Sequence, residues 1–303
     1  VLTDEGEVLS FGFGQHGQLG HGDDANQLEP KVIEALNGTR VVAIAAGFHH
    51  SMVLTDKGKV LSFGHGAYGR LGHGDEENQF VPKVIEALSD TRVAAIAAAI
   101  NHSMVLTDEG EVLSFGHGAY GRLGHGDQER QLVPKVIEAL RDVRVVAIAA
   151  GEWHSMVLTD EGEVLSFGAG DFGKLGHGDE ENQYEPKVIE ALGDRRVVAI
   201  AAGEYHSMVL TDEGTVLSFG HGEHGQLGHG DEEHQREPKV IEALRDVRVV
   251  AIAAGGHSRV LTDEGAVLSF GFEGRGRLGH GDKEEQLVPK VIEALRDRRV
   301  VAI

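Results

Sequence analysis

The tetrapeptide Val-Leu-Thr-Asp opens the chain at Val1 and returns at Val53, Val105, Val157, Val209 and Val260, at intervals of 52 residues four times and then 51. A fixed period of this size marks a repeat architecture. Residues shared by all six copies are expected to build the scaffold. Residues that differ between near-identical copies are where specificity is expected to reside.

One copy is enough to read the local structure. Arg40-Val-Val-Ala-Ile-Ala-Ala46 is an almost continuous apolar run ended by Gly47. His50-Ser-Met-Val-Leu-Thr55, the turn Asp56-Lys-Gly58 and Lys59-Val-Leu-Ser-Phe63 follow. Short β-branched and aromatic runs bounded by Gly and Asp predict strands, and Gly58 supplies the left-handed residue of a three-residue hairpin loop. A long loop runs from Gly64 to Gln79, and Val81 to Leu88 is expected to be the outermost strand, with Pro82 suited to an edge. Four antiparallel strands, A to D, every 50 residues or so predict a β-propeller blade. Blades are covered on both faces, which fits the apolar run of strand A. The 43 glycines in 303 residues are about twice the usual share of roughly 7%, as loops of unusual backbone geometry demand.

The ends suggest how the array closes. The chain starts in strand B and stops at Val300-Val-Ala-Ile303, inside a strand A, and its last copy has 44 residues. The expected fold is all-β: a closed β-propeller of six four-stranded blades, one domain over residues 1–303, its ring closed by the C-terminal strand A joining N-terminal strands B to D. Closure hides the sheet edges that otherwise invite aggregation. The missing start Met suggests a piece of a longer protein.

Composition removes several function classes. With 28 basic and 49 acidic residues the formal charge is −21, which opposes binding to phosphate backbones and anionic membranes. The absence of cysteine rules out disulfides and thiolate metal sites, and fits an intracellular chain, cytoplasmic or nuclear. Protonating all 18 histidines would move the charge from −21 to −3, so charge-dependent behaviour is expected to change between about pH 7 and 5.

The pattern Ala-Ala-Gly-x-x-His-Ser, Leu-Thr-x-x-Gly-x-Val, Ser-Phe-Gly, Gly-x-Leu-Gly-His-Gly-Asp and Pro-x-Val, seen over residues 45–82 and throughout the chain, resembles the regulator of chromosome condensation repeat. The paired Gly of the kelch family is absent apart from Gly255-Gly256, and the Trp-Asp dipeptide of another propeller family never occurs. The resemblance implies a propeller, with seven blades in typical members against six copies here. It implies no single function. Relatives include a guanine-nucleotide exchange factor for a nuclear small GTPase, a plant ultraviolet-B photoreceptor, an inhibitor of β-lactamases and recognition domains of ubiquitin ligases; protein binding on a propeller face is common to them. The photoreceptor needs a cluster of Trp, and this chain has only Trp153. The exchange factor needs an inserted wedge, and every spacing here is 51 or 52.

The repeated histidines are expected to be structural. His21, His73, His125, His177, His229 and His280 sit one per repeat on separate loops and cannot converge on one ion. His50, His102, His154, His206 and His257 start each strand B. The Gly-rich loops lack the Gly-Lys-Ser/Thr of a P-loop, and no catalytic triad stands out. No enzyme activity, metal or cofactor is expected. The variable positions are more informative. The A–B and C–D loops emerge at one end of each blade and carry Phe48, Ile100, Trp153 and Tyr205, with Tyr68, Tyr120 and Phe172 further out and Glu152 and Glu204 beside them. Clustered large apolar side chains mark interaction sites. The expected function is therefore a non-catalytic scaffold that binds a basic protein segment on this face. The alternatives are an exchange factor for a small GTPase, or a recently amplified or engineered repeat with no specific partner.

Overall fold

Apolar runs punctuated by Asp and Gly do become antiparallel strands. The computed structural model describes residues 1–303. The first repeat forms β1 (Leu9–Gly12) and β2 (Gln27–Val32), plus a bridge between Leu2 and Val8. The second forms a complete sheet: β3 (Val41–Ala46), β4 (His50–Thr55), β5 (Val60–Gly64) and β6 (Gln79–Val84), hydrogen-bonded in that order. The third repeats it with β7 (Val93–Ala98), β8 (His102–Thr107), β9 (Val112–Gly116) and β10 (Gln131–Val136), and β11 (Val145–Ala150) packs against β7 and β8. These elements make up one compact unit, Val1–Ala150. The other, Gly151–Ile303, holds β12 (His154–Thr159), β13 (Val164–Gly168) and β14 (Gln183–Val188). It then holds two complete sheets: β15 (Val197–Ala202) to β18 (Gln235–Val240), and β19 (Val249–Ala254) to β22 (Gln286–Val291). No helix is long and apolar enough to cross a membrane.

The B–C turn shows why the repeat carries Thr-Asp-x-Gly. Thr55 N–H donates to Lys59 O at 2.9 Å, and Thr55 Oγ1 accepts from Lys59 N–H at 3.1 Å. Gly58 has φ of +75°, and a Cβ there would lie 2.7 Å from Arg92 Cγ. The turn also reaches forward, since Val93 N–H donates to Gly58 O at 3.1 Å.

The Gly-x-Leu-Gly-His-Gly-Asp loop links successive repeats within each unit. Ser62 Oγ donates to Leu71 O at 2.7 Å and accepts from His73 Nε2 at 3.0 Å, so this histidine holds its own loop. A Cβ on Gly72 would lie 2.9 Å from the ring of Phe115 in the following repeat. Gly74 N–H donates to Leu132 O, also in the following repeat. The same close approach pairs Gly20 with Phe63, Gly176 with Phe219 and Gly228 with Phe270. As expected, Phe63, Phe115, Phe167, Phe219 and Phe270 are 0–2% exposed. Phe11, in the two-stranded first sheet, is 52% exposed. The other repeated histidine makes a second link: His50 Nε2 donates to Ser103 Oγ at 2.8 Å, and Ser103 Oγ donates to Arg70 O. His154–Ser207 and His206–Ser258 repeat it.

Four expectations need correction. Strand D ends at Val84, and Glu86–Leu88 is a 3₁₀ turn that buries Leu88, so the helix propensity of Glu-Ala-Leu prevails over the strand reading. Strand A is not covered on both faces: Val42, Val146, Val198 and Val250 are exposed. Val300–Ile303 form no strand, and Val301 is 82% exposed. Val1 pairs with Leu9, as strand B pairs with strand C in the other repeats. Ordering a four-residue tail costs about 1–2 kcal/mol per residue, which short terminal ladders struggle to offset. Finally, the histidines do not titrate together. Burial pushes His50 and His206 down to about 3, and His65, His125, His229 and His257 down to about 4.

Two outcomes follow from this packing. Phe115→Ala should lose about 3–5 kcal/mol of stability, because the ring fills an inter-repeat contact that nothing else can close; thermal or denaturant unfolding matching the parent would contradict this. The buried histidines also set an acid limit. Their folded pKa values lie below the unfolded value near 6.5, so the unfolded chain binds more protons as acid is added. Stability should be at its full value above about pH 6.5 and fall progressively towards pH 3. Denaturant midpoints that stay constant from pH 7 to 4 would refute it.

Candidate interaction face

Backbone hydrogen bonds place the A–B and C–D loops at the same end of each sheet. His65 N–H donates to His49 O at 2.8 Å, His117 N–H to Asn101 O at 2.9 Å and His221 N–H to Tyr205 O at 3.0 Å. The Thr-Asp-x-Gly turns and 3₁₀ turns lie at the other end, where Ile85 N–H donates to Val60 O.

In residues 1–150, Phe48 is 66% exposed, its ring edge-on to His49 at 4.5 Å. Its N–H donates to Ala99 O at 3.2 Å, which ties its loop to the one carrying the half-buried Ile100. Tyr68 is 38% and Tyr120 43% exposed. The Tyr68 ring lies 4.4 Å from that of His117 in the next repeat. In residues 151–303, Trp153 and Tyr205 are half-buried rather than enclosed. The Tyr205 ring stands edge-on to Phe172 at 6.0 Å, and Phe172 also meets His221 and His234 at 4.6 and 4.9 Å. Glu152 is half-buried and Glu204 exposed, and their N–H groups donate to Gly203 O and Gly255 O. Sequence reasoning thus chose residues that the structure gathers at loop tips, as Phe48 with Ile100 and Phe172 with Tyr205.

It missed what holds them. Tyr68, Tyr120 and Phe172 have φ of +63°, +63° and +62°, a conformation that bulky residues rarely adopt and that costs about 1–3 kcal/mol. Two residues later stand Arg70, Arg122 and Lys174, all fully buried. Each turns back to the carbonyl three residues before it: Arg70 Nε donates to Ala67 O at 2.9 Å, Arg122 Nε to Ala119 O at 2.9 Å and Lys174 Nζ to Asp171 O at 3.2 Å. Arg70 also donates to Ile100 O at 2.8 Å, and burial pushes its guanidinium down to about 10, so it stays charged at neutral pH.

Two repeats carry Gln18 and Gln226 instead. Their Oε1 atoms accept from His16 N–H and His224 N–H, each at 2.9 Å. The carbonyl of Ala67 and the N–H of His16 belong to the same peptide unit of the repeat. A cation selects its oxygen, a glutamine selects its N–H, and the peptide flips accordingly. Neither His16 nor His224 has positive φ, whereas Arg275, which precedes Arg277, does at +78°. The residue two positions on therefore decides how the loop-tip side chain is presented. The seven histidines outside the repeat pattern, His16, His49, His65, His117, His221, His224 and His234, also lie in these loops. Comparing copies position by position would have found both sets.

Arg70→Gln should flip the Ala67–Tyr68 peptide and return Tyr68 to negative φ, at little cost in stability because two sibling repeats already use Gln. A crystal structure or backbone coupling constants would show it, and Tyr68 remaining at positive φ would refute the assignment.

This geometry has clear relatives. The RCC1-like domain family matches residues 1–303. The chain is 39% identical over 309 residues to the E3 ubiquitin-protein ligase HERC2 of Mus musculus, covering 100% of this chain and 6% of HERC2. It is 35% identical over 298 residues to the ultraviolet-B receptor UVR8 of Arabidopsis thaliana, covering 98% of this chain and 68% of UVR8. Among solved structures, human WBSCR16 superposes with a TM-score of 0.85 at 27% identity, over 94% of this chain and 76% of that one. Prp20p of Saccharomyces cerevisiae does so with a TM-score of 0.86 at 25% identity, over 100% and 78%. With its four-stranded antiparallel sheets, its repeat and these likenesses, the chain belongs to the RCC1-like domain family of β-propellers.

Proposed function

We propose that residues 1–303 act as one propeller domain that binds a protein segment on the A–B and C–D loop face, without chemistry. One observation carries this reading: large side chains are displayed at loop tips in a strained conformation that a buried cation maintains. An inert connector gains nothing from Tyr68 and Tyr120 at positive φ with much of each ring in water. Trp and Tyr bury much area with few rotors, which makes them favoured hot-spot residues.

Charge argues for a basic segment. The chain carries −21, and Glu204, Asp171 and Glu223 stand exposed on this face. Such a field steers a cationic partner and gives a salt-sensitive association rate. Prp20p binds Gsp1p and histones, which supports protein binding as the role of a likeness of this kind. The ligase activity named for HERC2 belongs to a protein of which this chain spans 6%.

A photo-crosslinking residue at position 48 or 205 tests the face, with position 213 in a Thr-Asp-x-Gly turn as control. Positions 48 and 205 should capture a basic segment in a salt-sensitive way, and Trp153→Ala with Tyr205→Ala should abolish capture while leaving thermal unfolding close to that of the parent. Crosslinking confined to position 213, or a double variant that keeps all its partners, would overturn the proposal.

A further inference from the structure

The fifth repeat carries three donors that no sibling combines. His221, Glu223 and His234 each offer a ligand atom within 4.8 Å of the others. The corresponding positions hold Phe13, Gln15 and Asn26 in the first repeat, His65, Ala67 and Asn78 in the second, and Ala169, Asp171 and Asn182 in the fourth. We propose that His221, Glu223 and His234 form a binding site for a divalent transition-metal ion of the zinc class on the loop face of the fifth repeat.

The geometry is nearly assembled. His221 Nε2 lies 3.4 Å from Glu223 Oε2, matching the separation of about 3.3 Å between two donors of a tetrahedral ion with bonds near 2.0–2.1 Å. The rings of His221 and His234 stack at 4.9 Å and 30°, and Phe172 packs against both. Each Nδ1 is already engaged, His221 by Gln226 at 2.7 Å and His234 by Gly222 N–H at 3.2 Å, which leaves Nε2 of both rings for the ion. Two imidazoles and one carboxylate select a borderline cation over calcium or magnesium, with water completing the shell. The side chain of Glu223 is 64% exposed and free to close the remaining distance.

The same hydrogen bonds limit the affinity and couple the ion to the loop. His234 Nδ1 accepts from Gly222 just as Asn26, Asn78 and Asn182 Oδ1 accept from Gly14, Gly66 and Gly170. An accepting Nδ1 places the ring proton on Nε2. Ligation at Nε2 moves that proton to Nδ1, with no net release, and opposes the Gly222 and Gln226 donors. Two hydrogen bonds are exchanged for metal bonds. Binding is therefore reversible and loosens the closure of the loop that carries His224.

Titration of the whole chain with ZnCl₂, followed by calorimetry and by the Gly222 amide resonance, tests this. Two variants come from sibling repeats and keep the fold: His234→Asn retains the Gly222 cap, and Glu223→Ala copies Ala67. The parent should bind one Zn²⁺ at a site that each variant weakens at least tenfold, and its Gly222 resonance should shift. Isotherms that superimpose for all three proteins, or a Gly222 resonance unmoved at saturation, would overturn the proposal.

Discussion

Phe63, Phe115, Phe219 and Phe270 each pack a ring edge against a glycine of the repeat before, and the scaffold depends on this contact. Phe115 over Gly72 and Phe219 over Gly176 leave no room for a Cβ, and both glycines also need positive φ. That single contact explains much of the repeated sequence. Leu71 and His73, on either side of Gly72, fix the loop by giving their carbonyl and ring nitrogen to Ser62. The buried ring explains why the strands C that carry Phe63, Phe115, Phe167, Phe219 and Phe270 end in Ser-Phe-Gly. The His–Ser bonds between successive strands B add a polar counterpart, built on imidazoles that burial holds neutral. The scaffold is thus held by hydrocarbon packing and by hydrogen bonds from buried imidazoles that acid would charge.

With the scaffold held in this way, loop tips are free to vary, but not without rules. The peptide before each loop-tip side chain has two orientations, and a side chain two residues later chooses between them. Buried Arg or Lys takes the carbonyl, and Gln takes the N–H. A buried cation is costly, and its charge is met here largely by backbone oxygens. That cost is coherent if the display of Tyr68, Tyr120 and Phe172 matters to binding.

Much of this was legible in the sequence, and for physical reasons. Strands A, B and C follow from β-branched runs and hairpin glycines, and burial of Phe115 follows from its place before a glycine. The 3₁₀ turn at Glu86–Leu88 is hard to read from sequence because Pro82 suits an edge strand and nothing in the residues marks where that strand stops. The fate of Val300–Ile303 depends on the net gain of a short ladder, which a matching sequence cannot report. At the site, aromatic residues at Trp153 and Tyr205 stood out, yet the buried state of Arg70 did not. A cation in a Gly-rich loop reads as solvated unless its carbonyl partners are known. The cluster of His221 with His234 joins residues thirteen positions apart across a loop whose path only the fold supplies.

The division between repeated scaffold and variable face is the central claim, and amide hydrogen exchange with and without the captured partner tests it most directly. The account predicts slower exchange on binding at residues 48–50, 66–70 and 204–206, with the Thr-Asp-x-Gly turns at 55–58 and 211–214 unchanged. Protection at those turns with the loop tips unaffected would contradict it.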